Sequence, residues 1–247
     1  MSIKTAILPA AASILAAVSL SGCITAGPDP QDPYADFNRQ MFAFNEGLDK
    51  AVVEPMVYGY RALTNEPVRE GVGNFTNNLG EPLTLVNHVL QGNLPDAGAT
   101  FGRFVLNTTI GIAGVFDPAS SLGIARTQED FGQTLGAWGV QSGPFLVLPV
   151  LGPTTPRDLV GKGGDVGLNP LNYPEFKNDD AIRLGVAALG GINAREGAIE
   201  TVDELRNQID PYTTVRRLYG RTRAADIGIP YTEPNDAQEV PDDELDF

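Results

Sequence analysis

The stretch "DPYADFNRQMFAFNEGLDK", Asp32 to Lys50, sets the reading of the chain. Pro33 is suited to the first turn of a helix, where its missing N–H costs nothing. Phe37, Met41, Phe44 and Leu48 then recur at i, i+4, i+7 and i+11, the spacing of one helix face. Asn38, Arg39, Asn45, Glu46 and Asp49 are interleaved with them, so the segment is a strongly amphipathic helix. Read from the residues alone, such a helix more often covers a soluble core than lies against a membrane.

The same signature repeats along the chain. Glu54-Pro55, Glu66-Pro67, Glu81-Pro82, Leu94-Pro95, Thr155-Pro156 and Asp210-Pro211 all read as helix starts. After Pro67 the apolar face is Val68, Val72, Phe75 and Leu79. Thr127 to Asp130 reads as a capping box before Phe131, Leu135 and Trp138, and Asp179 to Ile209 as one long helix loosened at Gly190-Gly191. Only "FLVLPVLGP", Phe145 to Pro153, is apolar and plainly non-helical; Pro149 makes it a poor central strand. Membrane insertion and simple burial both remain open for it. The expected fold is mainly α: a single domain of many short amphipathic helices with few or no strands.

Glycine is over-represented, at 28 residues where average usage gives about 17. Each glycine inside a helix costs about 1 kcal/mol against alanine, so close packing should compensate. Gly98/Gly102, Gly132/Gly136 and Gly163/Gly167 have the spacing that lets helix backbones approach. In the Trp138 segment, Gly132, Gly136 and Gly139 leave one side bare while Phe131, Leu135 and Trp138 load another. Helix packing is the first explanation of that asymmetry, and lipid contact through the Trp138 indole the second.

The two ends differ from the body. Lys4 precedes an apolar run from Ala6 to Leu20, too short for the roughly 20 residues of a spanning helix, and residues 1–22 have the anatomy of a signal peptide. Leu20-Ser21-Gly22-Cys23 looks like a bacterial lipobox, which makes Cys23, the one cysteine of the 247 residues, a lipid anchor followed by a linker over residues 23–31. Ile24 stands where aspartate would signal inner-membrane retention, so the expected destination is the outer membrane. The helical domain is expected over 32–230 and an acidic solvated tail over 231–247; from Thr232 onward there are seven acids and no base.

The formal charge is −14, and becomes −15 if Lys4 leaves with residues 1–22. That balance disfavours nucleic acid and any basic grip on anionic lipid, leaving apolar surface as the means of meeting a membrane. No catalytic constellation emerges. Ser142 lacks the G-x-S-x-G frame, and Gly161-Lys162-Gly163 lacks the hydroxyl residue of a phosphate loop. His88 is alone, and Asp158, Asp165 and Asp203 read as solvated surface acids rather than acid–base groups. No cofactor or metal is expected.

Several blocks, in order, carry a family resemblance: "DPYADFNRQMFAFN" (32–45), "VGNFTNNLGEPLTLVNHVLQG" (72–92), "FGRFVLNTTIGIAGVFDPA" (101–119), "EDFGQTLGAWGVQSGPFLVLPVLGPTTPRD" (129–158) and "DPYTTVRRLY" (210–219). Together they resemble the MlaA/VacJ family of outer-membrane lipoproteins. The resemblance implies a helical ring with a central amphipathic channel, lying in the inner leaflet of the outer membrane. It implies removal of mislocalised phospholipid from the outer leaflet and delivery to a soluble periplasmic phospholipid carrier, beside a trimeric porin. Outer-membrane phospholipids, porin and carrier are thus the expected partners. Asn38, Phe44, Asn45 and Trp138 are the candidate lipid path, because polar and apolar side chains meet at these positions. The alternative is a structural, porin-associated lipoprotein that conducts no lipid; a lipid hydrolase is disfavoured by the missing nucleophile frame.

Overall fold

The computed structural model describes residues 32–174 and 178–231. The signal peptide, Cys23, the linker to residue 31 and the tail from Thr232 lie outside the described residues. The order is α1 (Ala35–Leu48), a wide π-turn (Asp49–Val53), α2 (Glu54–Leu63), α3 (Glu66–Gln91), α4 (Leu94–Thr109), α5 (Pro118–Ser121), α6 (Phe131–Ala137), β1 (Leu146–Leu148), β2 (Gly152–Thr154), α7 (Pro156–Leu168), a 3₁₀ turn (Pro170–Asn172), α8 (Asp179–Gly197), α9 (Ile199–Arg206) and α10 (Pro211–Asp226). The fold is mainly α, as the sequence implies. Its one small sheet is the antiparallel pair β1–β2, with Val147 opposite Pro153, and Pro149 falls between the two strands, where no ladder N–H is needed.

Several helices begin where proline marks them. Asn65 caps α3, Asn93 caps α4, Thr155 caps α7 and Asp210 caps α10, each accepting a backbone N–H with its side-chain oxygen. Glu81-Pro82 does not start a helix: α3 runs through Pro82 to Gln91. The lost backbone bond is outweighed by the partner helix, since α3 and α4 form a hairpin around Gly92-Asn93 with Glu81 and Asn78 bonded across it to Arg103 and Thr108. Pro55 likewise sits in one continuous helical run, and the π-turn just before it accommodates the missing N–H. The capping box lies one turn later than Thr127: Asp130 accepts from Gln133 N at 2.8 Å and the Gln133 side chain returns to Asp130 N at 2.6 Å. The long C-terminal helix breaks at Ala198, not at Gly190-Gly191, and Gly190 lies close against Thr76 of α3.

Burial is inverted relative to a water-soluble protein. Among the described residues seventeen polar or charged side chains are buried against seven apolar ones. In α3 the buried positions are Asn78, Glu81, Thr84, Asn87 and His88, while Val68, Val89 and Leu90 are exposed. In α4 Thr100, Arg103 and Asn107 point inward, and Leu94, Phe101 and Val105 outward. Buried polar groups are stable only when hydrogen-bonded, and here most are. Arg103 binds Glu81, Asp117 (2.8 Å), Ser120 (3.1 Å) and the Ile124 carbonyl, and Asn107 both donates to Asp117 (3.0 Å) and accepts from Ala119 N (3.1 Å). Burial pushes the Glu81 carboxyl up, against the pull of Arg103 and Arg126. One small apolar cluster, Phe145, Val147 and Tyr212 with Met41, Phe42 and Tyr219, fixes the hairpin between α1 and α10.

Candidate lipid-handling site

The site grows from α1. Its inward stripe is Asn38, Phe42, Asn45 and Asp49, offset by one residue from the apolar stripe that periodicity picks out. Asn38 is fully buried. Its amide donates to the Phe145 carbonyl (3.0 Å) and to Asp32 (3.1 Å) and accepts from Val147 N (2.8 Å). Asn45 repeats the grip two turns later, donating to the Leu148 carbonyl (2.9 Å) and accepting from Val150 N (2.7 Å). Asn38, expected on the lipid path, is solvent-free with its amide engaged, and it holds the hairpin. Phe44, 53% exposed, points away from that face. The sequence places it beside Asn45; the helix separates the two by about 100°.

α10 closes the same region. Tyr212, Arg216, Tyr219 and Arg223 form one stripe at i, i+4, i+7 and i+11. Tyr212 donates to Asp32 at 2.5 Å, Arg216 pairs with Asp32 at 3.0 Å, and Tyr219 donates to Asp158 at 2.5 Å. Arg223 binds both Asp158 (2.9 and 3.0 Å) and Asp130 (2.7 and 3.0 Å). Asp158 is therefore no solvated surface acid; its side chain is 3% exposed. Burial raises its pKa, but hydrogen bonds from Arg223 and Tyr219 and the charges of Arg223 and Arg157 outweigh that and lower it to about 2. This stripe was present in "DPYTTVRRLY" and the residues after it, as a helical period of aromatic and arginine side chains.

Between α1, the hairpin, α9 and α10 lies a pocket of about 510 Å³. Apolar walls come from Phe42, Leu48, Val147, Val150, Val202 and Leu205, and Asn45 lies in its lining. At one end Arg195 holds Asp49 through two bonds (3.0 and 2.8 Å), and Arg206 reaches Asp49 (2.8 Å) and Glu54 (2.9 Å). The hydrogen bond from Arg195, with the charges of Arg195 and Arg206, lowers the Asp49 pKa despite burial. Such a pocket, apolar with a few converging polar groups, suits a ligand that is itself amphipathic. The sequence marks Asp49 only as one polar residue of the first amphipathic segment and does not mark Arg195 or Arg206, because their pairing spans 146 and 157 residues. A second cleft of about 910 Å³ lies along α10 and the 139–145 loop, with Arg157, Arg216 and Arg223 in its lining.

Trp138 stands apart from the pocket. It caps the C-terminal end of α6, is 54% exposed, meets Phe131 edge to face at 5.8 Å, and donates its indole N–H to the Leu90 carbonyl at 3.1 Å. That carbonyl belongs to the last turn of α3, which has no helical donor of its own. The glycine contacts are also more selective than spacing predicts. Gly98, Gly102, Gly163 and Gly167 face open space, whereas Gly132 and Gly136 meet Asp158, Arg157, Arg223 and Ile227, and a Cβ on Gly161 would come within 2.5 Å of Gly132 Cα.

Among the described residues no helix is long and apolar enough to cross a membrane. Short helices that turn apolar side chains outward and polar ones inward, around an amphipathic pocket, define a helical protein of inverted polarity. The model of the MlaA lipoprotein family matches residues 30–226, and the chain belongs to that family. It is 34% identical over 219 residues to the Haemophilus influenzae "Intermembrane phospholipid transport system lipoprotein MlaA", covering 84% of this chain and 85% of that one. The Escherichia coli K12 protein of the same name is 38% identical over 213 residues, 81% of each chain. An uncharacterised Rickettsia felis protein is 39% identical over 212 residues, 85% of this chain and 82% of that one. A solved structure described as "Structural basis for maintenance of bacterial outer membrane lipid asymmetry" aligns with a TM-score of 0.71 at 36% identity, covering 79% of this chain and 98% of the other.

Proposed function

We propose that this protein is an outer-membrane lipoprotein of the intermembrane phospholipid transport system, which takes mislocalised phospholipids from the outer leaflet and passes them to a soluble periplasmic carrier. It acts as a conduit and not as an enzyme. Cys23 carries the lipid anchor, the helical body is embedded in the inner leaflet, and a trimeric porin holds it there. The observation that carries this reading is the inverted burial: exposed apolar area loses roughly 25 cal/mol per Å² in water, so the outward Leu63, Leu94, Phe101 and Ile110 favour hydrocarbon. A phospholipid needs a polar route for its headgroup and an apolar one for its tails, because an unpaired buried charge is costly. The pocket beside Asn45 offers both. Phe44 and Trp138 belong to the outward apolar surface where lipid enters.

Deletion of the gene should cause phospholipid to accumulate in the outer leaflet, measured by surface labelling of lipid amines, and the intact gene should reverse it. Unchanged labelling on deletion would leave the purely structural, porin-associated role.

A further inference from the structure

The C-terminal end of the described chain turns back on α10. The helix stops at Asp226, Gly228 takes a left-handed conformation (φ +68°), and the N–H groups of Gly228 and Ile229 donate to the carbonyls of Ala225 (3.1 Å) and Ala224 (3.0 Å), which reverses the chain. Tyr231 then lies on Gly220, where a Cβ would come within 2.7 Å of its ring. After Gly228 the chain therefore runs antiparallel to α10, and Ile229, Pro230 and Tyr231 line the cleft of about 910 Å³. The helix surface ahead of it is basic. α10 carries Arg216, Arg217, Arg221 and Arg223 against a single acid, Asp226. Arg216 and Arg223 face Asp32, Asp130 and Asp158, whereas Arg217 and Arg221 lie off that stripe, at i and i+4 on the side of Gly220. Arg221 is exposed and, among the described residues, pairs with no carboxylate.

We propose that the acidic C-terminal segment, residues 232–247, docks on this basic face of its own α10. The segment carries seven acids and no base, and it leaves Tyr231 pointing along the helix toward Arg217. An extended chain advances about 3.3 Å per residue while a helix rises about 1.5 Å, so Glu233, just past Tyr231, comes alongside Arg217. Exposed ion pairs are individually weak. Here the contact is intramolecular, because the chain end is already held at Gly220, and the effective concentration of the segment at the face is high. Docked in this way, it forms the outer wall of the cleft along α10 and the 139–145 loop. The inference is independent of the phospholipid-transport reading.

The test uses the full-length lipoprotein in detergent at low salt and follows cleavage after Glu239 by a glutamyl endopeptidase, with the released peptide measured by mass spectrometry. Arg217→Glu and Arg221→Glu should each speed cleavage about fivefold, and about 0.5 M salt should bring the unsubstituted protein to a similar rate. Adding Glu233→Arg to Arg217→Glu should restore slow cleavage, which a mere loss of helix stability would not allow. Gly220→Phe, which takes the place of the Tyr231 ring, should speed cleavage at any salt concentration. A rate unchanged by Arg221→Glu, an exposed position where folding is not at stake, overturns the docking, and so does failure of Glu233→Arg to reverse Arg217→Glu. Weaker binding of Arg221→Glu to vesicles of anionic phospholipid, with cleavage unchanged, assigns the face to a lipid surface instead and likewise overturns the proposal.

Discussion

Asn38 and Asn45 grip one hairpin at two points whose spacings agree. Seven residues of α-helix rise about 10.5 Å, and the three residues from Phe145 to Leu148 span about 10 Å as a strand. Each amide therefore meets a carbonyl and an N–H two residues beyond it: Phe145 O and Val147 N for the first, Leu148 O and Val150 N for the second. A helix supplies the hydrogen bonds that a neighbouring strand would.

The two substitutions to alanine should differ. Asn38→Ala strands the buried Phe145 carbonyl and Val147 N–H and should cost at least about 2 kcal/mol, read as a lowered denaturation midpoint in detergent. Asn45 is half-buried and water can replace its bonds, so Asn45→Ala should cost about 1 kcal/mol and alter lipid traffic while the protein still accumulates. Equal losses of stability would show that the two clamps do not differ in burial as described.

Glycine substitutions should sort by contact and not by spacing. Gly161→Ala drives a methyl into the Gly132 backbone, which cannot yield as a side-chain end can, and should fall at the upper end of about 1–3 kcal/mol. Gly163→Ala, two residues on and facing open space, should be neutral or stabilising by up to about 1 kcal/mol. Gly136→Leu meets Arg157 and Ile227 and should be poorly tolerated. Denaturation midpoints of the three variants check the order.

Stability should fall in acid through Asp158. Its folded pKa, about 2, lies below the ordinary carboxylate value, so the unfolded chain takes up the proton first. The contribution is complete above about pH 4, declines as pH falls, and is lost below about pH 2, amounting to roughly 2–3 kcal/mol. Unfolding measured at pH 5 and pH 3 should show the decline, and Asp158→Asn should flatten that limb.

Trp138 is the one tryptophan of the chain, so its fluorescence reports a single site. With the ring half exposed and its N–H on the Leu90 carbonyl, contact with lipid predicts strong quenching when the protein is reconstituted in vesicles of brominated phospholipid. Trp138→Phe loses that hydrogen bond and should cost about 1 kcal/mol. Absence of quenching would retire Trp138 as a lipid-facing residue.

The anchor has its own test. Cys23→Ser should leave the precursor unprocessed or release unanchored protein. Normal processing and outer-membrane fractionation of the variant would remove Cys23 as the attachment point.

The amino-acid sequence by itself determined the mainly α class, the proline-marked helix starts at α3, α4, α7 and α10, the non-helical hairpin and the family. Those properties are local or cumulative: φ at proline, a period of 3.6, and blocks of residues in order. It pointed to Asn38 and Asn45 without their partners, which lie about a hundred residues away. Tertiary structure alone decided which face of each helix turns inward. Periodicity identifies two opposite faces but carries no sign, and only the presence of bonding partners makes the polar face the buried one. Phe37, Met41, Phe44 and Leu48 therefore mark α1 correctly, and Met41 does pack on the apolar cluster, yet the polar contacts that fix the helix come from Asn38, Asn45 and Asp49. The same reason hides the pocket's charged end, because Arg195 and Arg206, on the consecutive helices α8 and α9, reach Asp49 of the π-turn only after the chain has folded back over 146 and 157 residues.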